Sequence, residues 1–280
     1  MPNQTPPNQT PPNQTPPNQT MARKLMALCA GVLCHVSFGI AVLTMMAAMY
    51  FGMTRSLGRV LEPWNWVANA ALLVQFPVVH SLLLTGRGRK LLARLVPLGV
   101  GPTLSATTYA TIAAFGVFAL FAFWSPTGVI LWQAHGSVLV VMTALYAASW
   151  LLLGKSMIDA GLSLQTGALG WFALFRGRRP VYPPMPESGL FRLTRQPIYL
   201  AFTMTLWTVP TWTPDQLVVA VTLTGYCLVA PRFKEARFRR IYGREFDRYA
   251  AAVPYWLPWP RPRLSGGAGE GTSPAGKTIQ

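Results

Sequence analysis

Residues 194–238 read "TRQPIYLAFTMTLWTVPTWTPDQLVVAVTLTGYCLVAPRFKEARF", and the way this stretch folds decides the architecture. Two apolar runs, 198–211 and 216–230, flank the tip "PTWTPD". Pro210 and Pro214 end the flanking helices, and Asp215 suits the start of the next one. The first run rises only about 21 Å as a helix, against roughly 30 Å of bilayer hydrocarbon. The pair is therefore expected as a short helical hairpin. Its open end brings two polar flanks, "TRQP" and "APRFKEARF", face to face.

The rest of the chain explains why so apolar a hairpin occurs. Of 280 residues, 51% are hydrophobic and only 11% are charged; soluble domains carry about 25% charged residues. Lys and Arg number 24 against 8 acids, a net charge of +16. In a soluble chain that balance suggests nucleic acid. Here the cations sit in loops between apolar runs, which is the membrane pattern and argues against nucleic acid. Four further runs, 25–51, 66–84, 105–124 and 129–153, bring the expected membrane segments to about six. The first exceeds a signal peptide's apolar core of about 7–15 residues. With the N-terminus in the cytoplasm, Arg55 and Arg59 are the only cations outside. Both termini are thus expected in the cytoplasm, with the chain in a bacterial inner membrane among membrane lipids. No acid lies in the middle of the first four runs, which argues against a transporter.

Three domain-level expectations follow. Residues 1–20, four proline-separated PNQT units, read as a disordered tail. Residues 21–260 read as one polytopic domain, and 261–280, rich in Gly and Ser, as a second disordered tail. Met21, followed by "ARKL", reads as an alternative start. Cys29, Cys34 and Cys227 lie in apolar runs without metal-ligand spacing, so they read as inert thiols, and no metal is expected. The segment 155–197 is far longer than an ordinary connection and rich in aromatics, so it is expected to fold against the membrane face. After the sixth run, Phe238, Ile241, Tyr242, Phe246 and Tyr249 recur at helical spacing among arginines, which predicts a cytoplasmic amphipathic helix.

The motif "GLFRLTRQPIY", followed by "KEARFRRIYGREFDRYAAAVP", resembles the isoprenylcysteine carboxyl methyltransferase and phospholipid methyltransferase superfamily. Gly189, Phe191, Arg192, Arg195, Pro197 and Tyr199 match its first half. Glu235, Phe238, Tyr242, Gly243, Phe246, Tyr249, Val253 and Pro254 match its second. The likeness covers about residues 65–258. With "VVHSLL", "GLSLQ", "RGRRPVYPP" and "WTVPTWTPDQL", it is strongest to the branch holding methanethiol S-methyltransferase and NnrU-type membrane proteins. Two positions depart from the pattern: Gln196 replaces the usual His or Asn, and Lys234 replaces the first of two Glu.

The resemblance implies an all-α integral membrane enzyme that uses S-adenosylmethionine to methylate a small or membrane-soluble acceptor, with a thiol one option. It implies cofactor contacts from Arg192, Arg195, Gln196, Tyr199, Glu235 and Tyr242. Arg195 can grip a carboxylate with two N–H groups. Glu235 supplies an acid, and the tyrosine faces suit a sulfonium cation. Methyl transfer is an in-line displacement, so positioning carries most of the catalysis. A thiol acceptor must lose a proton. His80 is the candidate base, and packing between helices is its alternative role. A protein that keeps the fold without turnover is the competing functional reading, suggested by Gln196 and Lys234.

Overall fold

The computed structural model describes residues 21–97 and 99–257. The two expected tails, 1–20 and 261–280, lie outside the described residues.

The described chain is almost entirely helical. In order come α1 (Met21–Tyr50), α2 (Trp64–Leu83), α3 (Gly86–Arg94), α4 (Gly101–Ala122), β1 (Trp132–Gln133), α5 (Gly136–Asp159), α6 (Leu162–Gln165) and α7 (Ala168–Phe175). A 3-10 turn at Gly189–Arg192 leads into α8 (Pro197–Trp207), β2 (Thr211–Trp212), α9 (Pro214–Tyr242) and α10 (Arg244–Ala252). Five helices, α1, α2, α4, α5 and α9, are long and apolar enough to cross a membrane. The sixth expected segment is α8, a short apolar helix of 11 residues.

The burial pattern is that of helices in lipid. Val32, Leu43, Val140 and Leu151 stand on outward faces. Helix α1 buries a seam of small residues instead, Ala27, Gly31, Cys34, Ser37, Ala41 and Ala48. That seam packs on α4, which buries Thr107, Ala110, Thr111 and Ala114. Small side chains let backbones approach closely where lipid removes the hydrophobic drive between helices.

Segment 155–197 does more than lie on a face. Helix α7 packs against both α1 and α4. Trp171 fills the space above Gly31, where a Cβ would stand 2.7 Å from the indole, and its Nε1 donates to His35 Nε2 at 3.0 Å. Thr107 Oγ1 donates to Gly167 O at 2.6 Å and accepts from Trp171 N at 2.9 Å. Cys34 is fully buried behind this helix.

One end of the helix bundle is locked by buried polar contacts. Asp215, 1% exposed, accepts from Trp124 Nε1, Thr127 N and Thr127 Oγ1 at 2.9, 3.0 and 2.6 Å. Thr213 Oγ1 donates to Gly52 O at 2.7 Å and accepts from Gln216 N at 2.9 Å, capping α9. Strands β1 and β2 pair antiparallel, Trp132 opposite Trp212. This pairing accounts for one difference from expectation. The run 129–153 is not all helix, because residues before Gly136 are drawn into the strand pair.

A second difference concerns the last run. Helix α9 does not stop near residue 230. It passes Pro231 and continues to Tyr242. Glu235 therefore lies within the helix, not beyond its end. The amphipathic stretch breaks at Gly243, whose φ of 52° and ψ of −122° suit glycine alone. Phe238 and Tyr242 end one helix, while Phe246 and Tyr249 begin the next. Ile241 is turned outward, 64% exposed.

Candidate functional site

The site is built where α8 begins. Pro197 occupies the first helical position, where its missing N–H costs nothing. This leaves Arg195 and Gln196 on the turn just before the helix. Gln196 is fully buried. Its Nε2 donates to Glu235 Oε1 at 2.7 Å. Arg195 Nε lies 3.3 Å from the same oxygen, an ion pair without a hydrogen bond from that nitrogen. Each side chain in this pair is 12% exposed. The contact ties the start of α8 to the far half of α9. At the other end of α8, Gln216 Nε2 donates to Leu206 O at 3.0 Å and Trp207 Nε1 to Thr224 Oγ1 at 2.9 Å.

The segment after Gly243 closes over this turn. Arg195 N donates to Pro254 O at 3.0 Å, and Thr194 Oγ1 donates to Tyr255 O at 3.2 Å. Tyr249 OH donates to Phe191 O at 2.8 Å. Burial pushes the Tyr249 phenol above its ordinary value, so it stays a donor across the physiological range. Arg195 Nη1 reaches Ala250 O at 3.3 Å, and its guanidinium lies 5.2 Å from the Tyr255 ring centre.

Between these parts lies a narrow cleft with a cavity volume of only about 10 Å³. It is lined by Pro186, Phe191, Arg195, Gln196, Lys234, Glu235, Phe238, Phe246 and Tyr249. Two cations and one carboxylate line it, leaving one positive charge in excess. Gln196 Oε1 is buried with no hydrogen-bond partner among the described residues. A buried amide oxygen left unpaired costs about 1–3 kcal/mol. A hollow over Arg244, Asp247 and Arg248 is an open surface depression on α10.

The expected site residues divide accordingly. Arg195, Gln196 and Glu235 come together in the cleft. Tyr199, in the first turn of α8, lies beside it, with Lys234 Nζ 5.6 Å from its ring centre. Tyr242 stacks edge-on against Phe238, with centres 5.6 Å apart, outside the cleft lining. Arg192 is exposed on the 3-10 turn. His80 sits on α2, and both ring nitrogens lie within hydrogen-bond reach of Tyr109 OH, 3.0 and 2.7 Å. It does not line the cleft. Phe191, Phe238, Phe246 and Tyr249 were visible as motif positions without an assigned role, while Lys234 stood out only as a departure. Nothing in the pattern signalled Pro186.

Comparison with known proteins gives this geometry its context. The chain is 30% identical over 205 residues to a methanethiol S-methyltransferase of Mycobacterium tuberculosis, covering 69% of this chain and 78% of that protein. The chain belongs to the methanethiol S-methyltransferase family. A methanethiol S-methyltransferase from Crocosphaera subtropica is 24% identical over 252 residues, 82% of this chain and 90% of its own. A likeness also extends to Nurim of Xenopus laevis, 28% identical over 59% of each chain. No family model and no solved structure matches. Methyl transfer is the activity the methanethiol S-methyltransferase family carries in its name. The cleft brings together an excess cation, an unpaired amide oxygen and several aromatic rings.

Proposed function

We propose that this chain is an integral membrane methyltransferase that uses S-adenosylmethionine to methylate a small thiol. The observation that carries the reading is the buried cluster of Arg195, Gln196 and Glu235, with its unpaired Gln196 Oε1, inside a chain of the methanethiol S-methyltransferase family. We place six segments in the membrane over one unit, 21–260. Helices α8 and α9 form the short hairpin, both termini are cytoplasmic, and the membrane is a bacterial inner membrane. The cleft then opens at the cytoplasmic interface, where a water-soluble cofactor and a lipid-soluble thiol can meet.

When bound, S-adenosylmethionine supplies an electrophilic methyl on a sulfonium sulfur. The chain's own residues hold and orient. Arg195 is the partner for the amino-acid carboxylate, and Glu235 with Gln196 Oε1 receives the ammonium or ribose hydroxyls. Arg195 and Glu235 now face each other, so part of their pairing is exchanged for ligand contacts. Pockets for molecules of this size span roughly 300–1,000 Å³, so the cleft must widen. The segment from α10 to residue 257, joined through Gly243, is the movable wall. Its aromatic rings exclude water and so strengthen every charge contact inside. Arg192 and Tyr242 take outer positions, at the rim. His80 stays a candidate for the thiol proton only if the acceptor approaches between α2 and α4.

The experiment is a titration of S-adenosylmethionine into the detergent-solubilised chain, alongside Glu235→Ala. The parent should bind saturably, and the variant should lose about 1.5–3 kcal/mol, the usual value of hydrogen bonds to a charged group. Equal binding by both removes Glu235 from the site.

A further inference from the structure

The ammonium of Lys234 stands among three aromatic rings. Its Nζ lies 5.8 Å from the Phe191 ring centre, 5.6 Å from Tyr199 and 5.7 Å from Phe238. These distances are within the roughly 6 Å range of cation–π attraction. Yet the group is poorly served as an ammonium. It has three N–H donors, and among the described residues it makes one hydrogen bond, 3.3 Å to Arg195 O. The neighbouring acid, Glu235, is engaged by Arg195 and Gln196 instead. A strongly hydrated cation with three protons to place is a weak match for a box of ring faces. A cation without N–H groups matches it better, because it asks only for those faces. Phe191, Phe238 and Lys234 all line the cleft, beside the unpaired Gln196 Oε1.

We infer that Phe191, Tyr199 and Phe238 form the seat of the cofactor's sulfonium, and that Lys234 is a resident cation which the sulfonium must displace. The inference rests on the proposed use of S-adenosylmethionine. Lys234 has a flexible four-carbon stem and one long hydrogen bond to break, so it can swing aside. Once displaced, it remains near a second positive charge. The chain thus weakens its own grip on the sulfonium donor more than on the product left after methyl transfer, whose sulfur is uncharged.

The test compares S-adenosylmethionine with S-adenosylhomocysteine, which lacks the methyl and the charge. Both are titrated into the full detergent-solubilised chain and into Lys234→Met. The variant should bind S-adenosylmethionine about tenfold more tightly, the scale of a desolvated cation–π contact, and gain clearly less for S-adenosylhomocysteine. Adding Phe238→Leu should erase that extra gain. Unchanged binding of S-adenosylmethionine by Lys234→Met overturns the inference, and weaker binding overturns it and makes Lys234 a cofactor ligand. An equal gain for both ligands also overturns it, leaving Lys234 a mere plug. If Lys234→Met does not stay monodisperse, Lys234→Gln carries the same comparison. If neither parent nor variant binds either ligand, the cofactor reading itself falls and the inference with it. Binding by the parent, scored separately, distinguishes the two failures.

Discussion

Gln196 Nε2 reaches Glu235 Oε1 at 2.7 Å across 39 positions of sequence, both residues being buried. This one contact joins the turn before α8 to the far half of α9. Gln196→Leu keeps the volume but leaves the carboxylate with Arg195 alone. It should cost about 1–3 kcal/mol, read as thermal destabilisation together with weaker binding of S-adenosylmethionine. Gln196→His restores the commoner family residue and a donor, so it should preserve or raise binding. A histidine variant as damaged as the leucine one contradicts this account of the contact.

Gly243 governs the closing segment. No atom lies within 4 Å of the Cβ an alanine would add, so Gly243→Ala meets no clash. The cost is in the backbone, about 1–3 kcal/mol for a residue forced into that region. The strain should be relieved by detaching α10 and breaking the Tyr249–Phe191 contact. We expect faster protease cleavage after residue 243 and weaker cofactor binding, with the membrane helices unaffected. Unchanged protease sensitivity argues against a movable wall.

The topology can be read by thiol labelling in a cysteine-free background. Leu61 and Val181 are each 82% exposed, in different connections. In intact cells an impermeant maleimide should label Leu61→Cys and leave Val181→Cys unlabelled until lysis. Labelling of Val181→Cys in intact cells would reverse the orientation. The tip at Thr213 is a poor place for a reporter, since its hydroxyl is buried against Gly52.

Asp215 should matter for stability and not for chemistry. It accepts three hydrogen bonds, far along α9 from Glu235. Asp215→Ala leaves Trp124 Nε1 and the Thr127 donors without their carboxylate. The expected loss is about 1.5–3 kcal/mol of stability, from hydrogen bonds to a charged group. Cofactor affinity per folded molecule should stay at the parent value. A selective loss of affinity would show coupling between the two ends of α9.

The membrane helices were legible because the signal is composition: long apolar runs with cations between them. The start of α8 was legible too, because Pro197 fixes it. The end of α9 was not, since Pro231 reads as a stop and yet the helix continues through it. Helix α7 was hidden for a different reason. Eight apolar residues do not announce a partner, and the glycine that admits Trp171 lies 140 residues away on α1. At the site, Arg195, Gln196 and Glu235 could be named from the motif and the expected hairpin. The aromatic company of Lys234 could not, because its three rings come from the 3-10 turn, α8 and α9, which meet only in the folded chain.

The most direct measurement is the transfer of a labelled methyl group from S-adenosylmethionine to methanethiol by the purified, detergent-solubilised chain, run beside Arg195→Lys. The lysine keeps the charge and loses the planar fork. The account predicts a labelled thioether from the parent, and at least about a tenfold lower rate from the variant, about 1.4 kcal/mol. No transfer by a folded parent, or a lysine variant as fast as the parent, contradicts it.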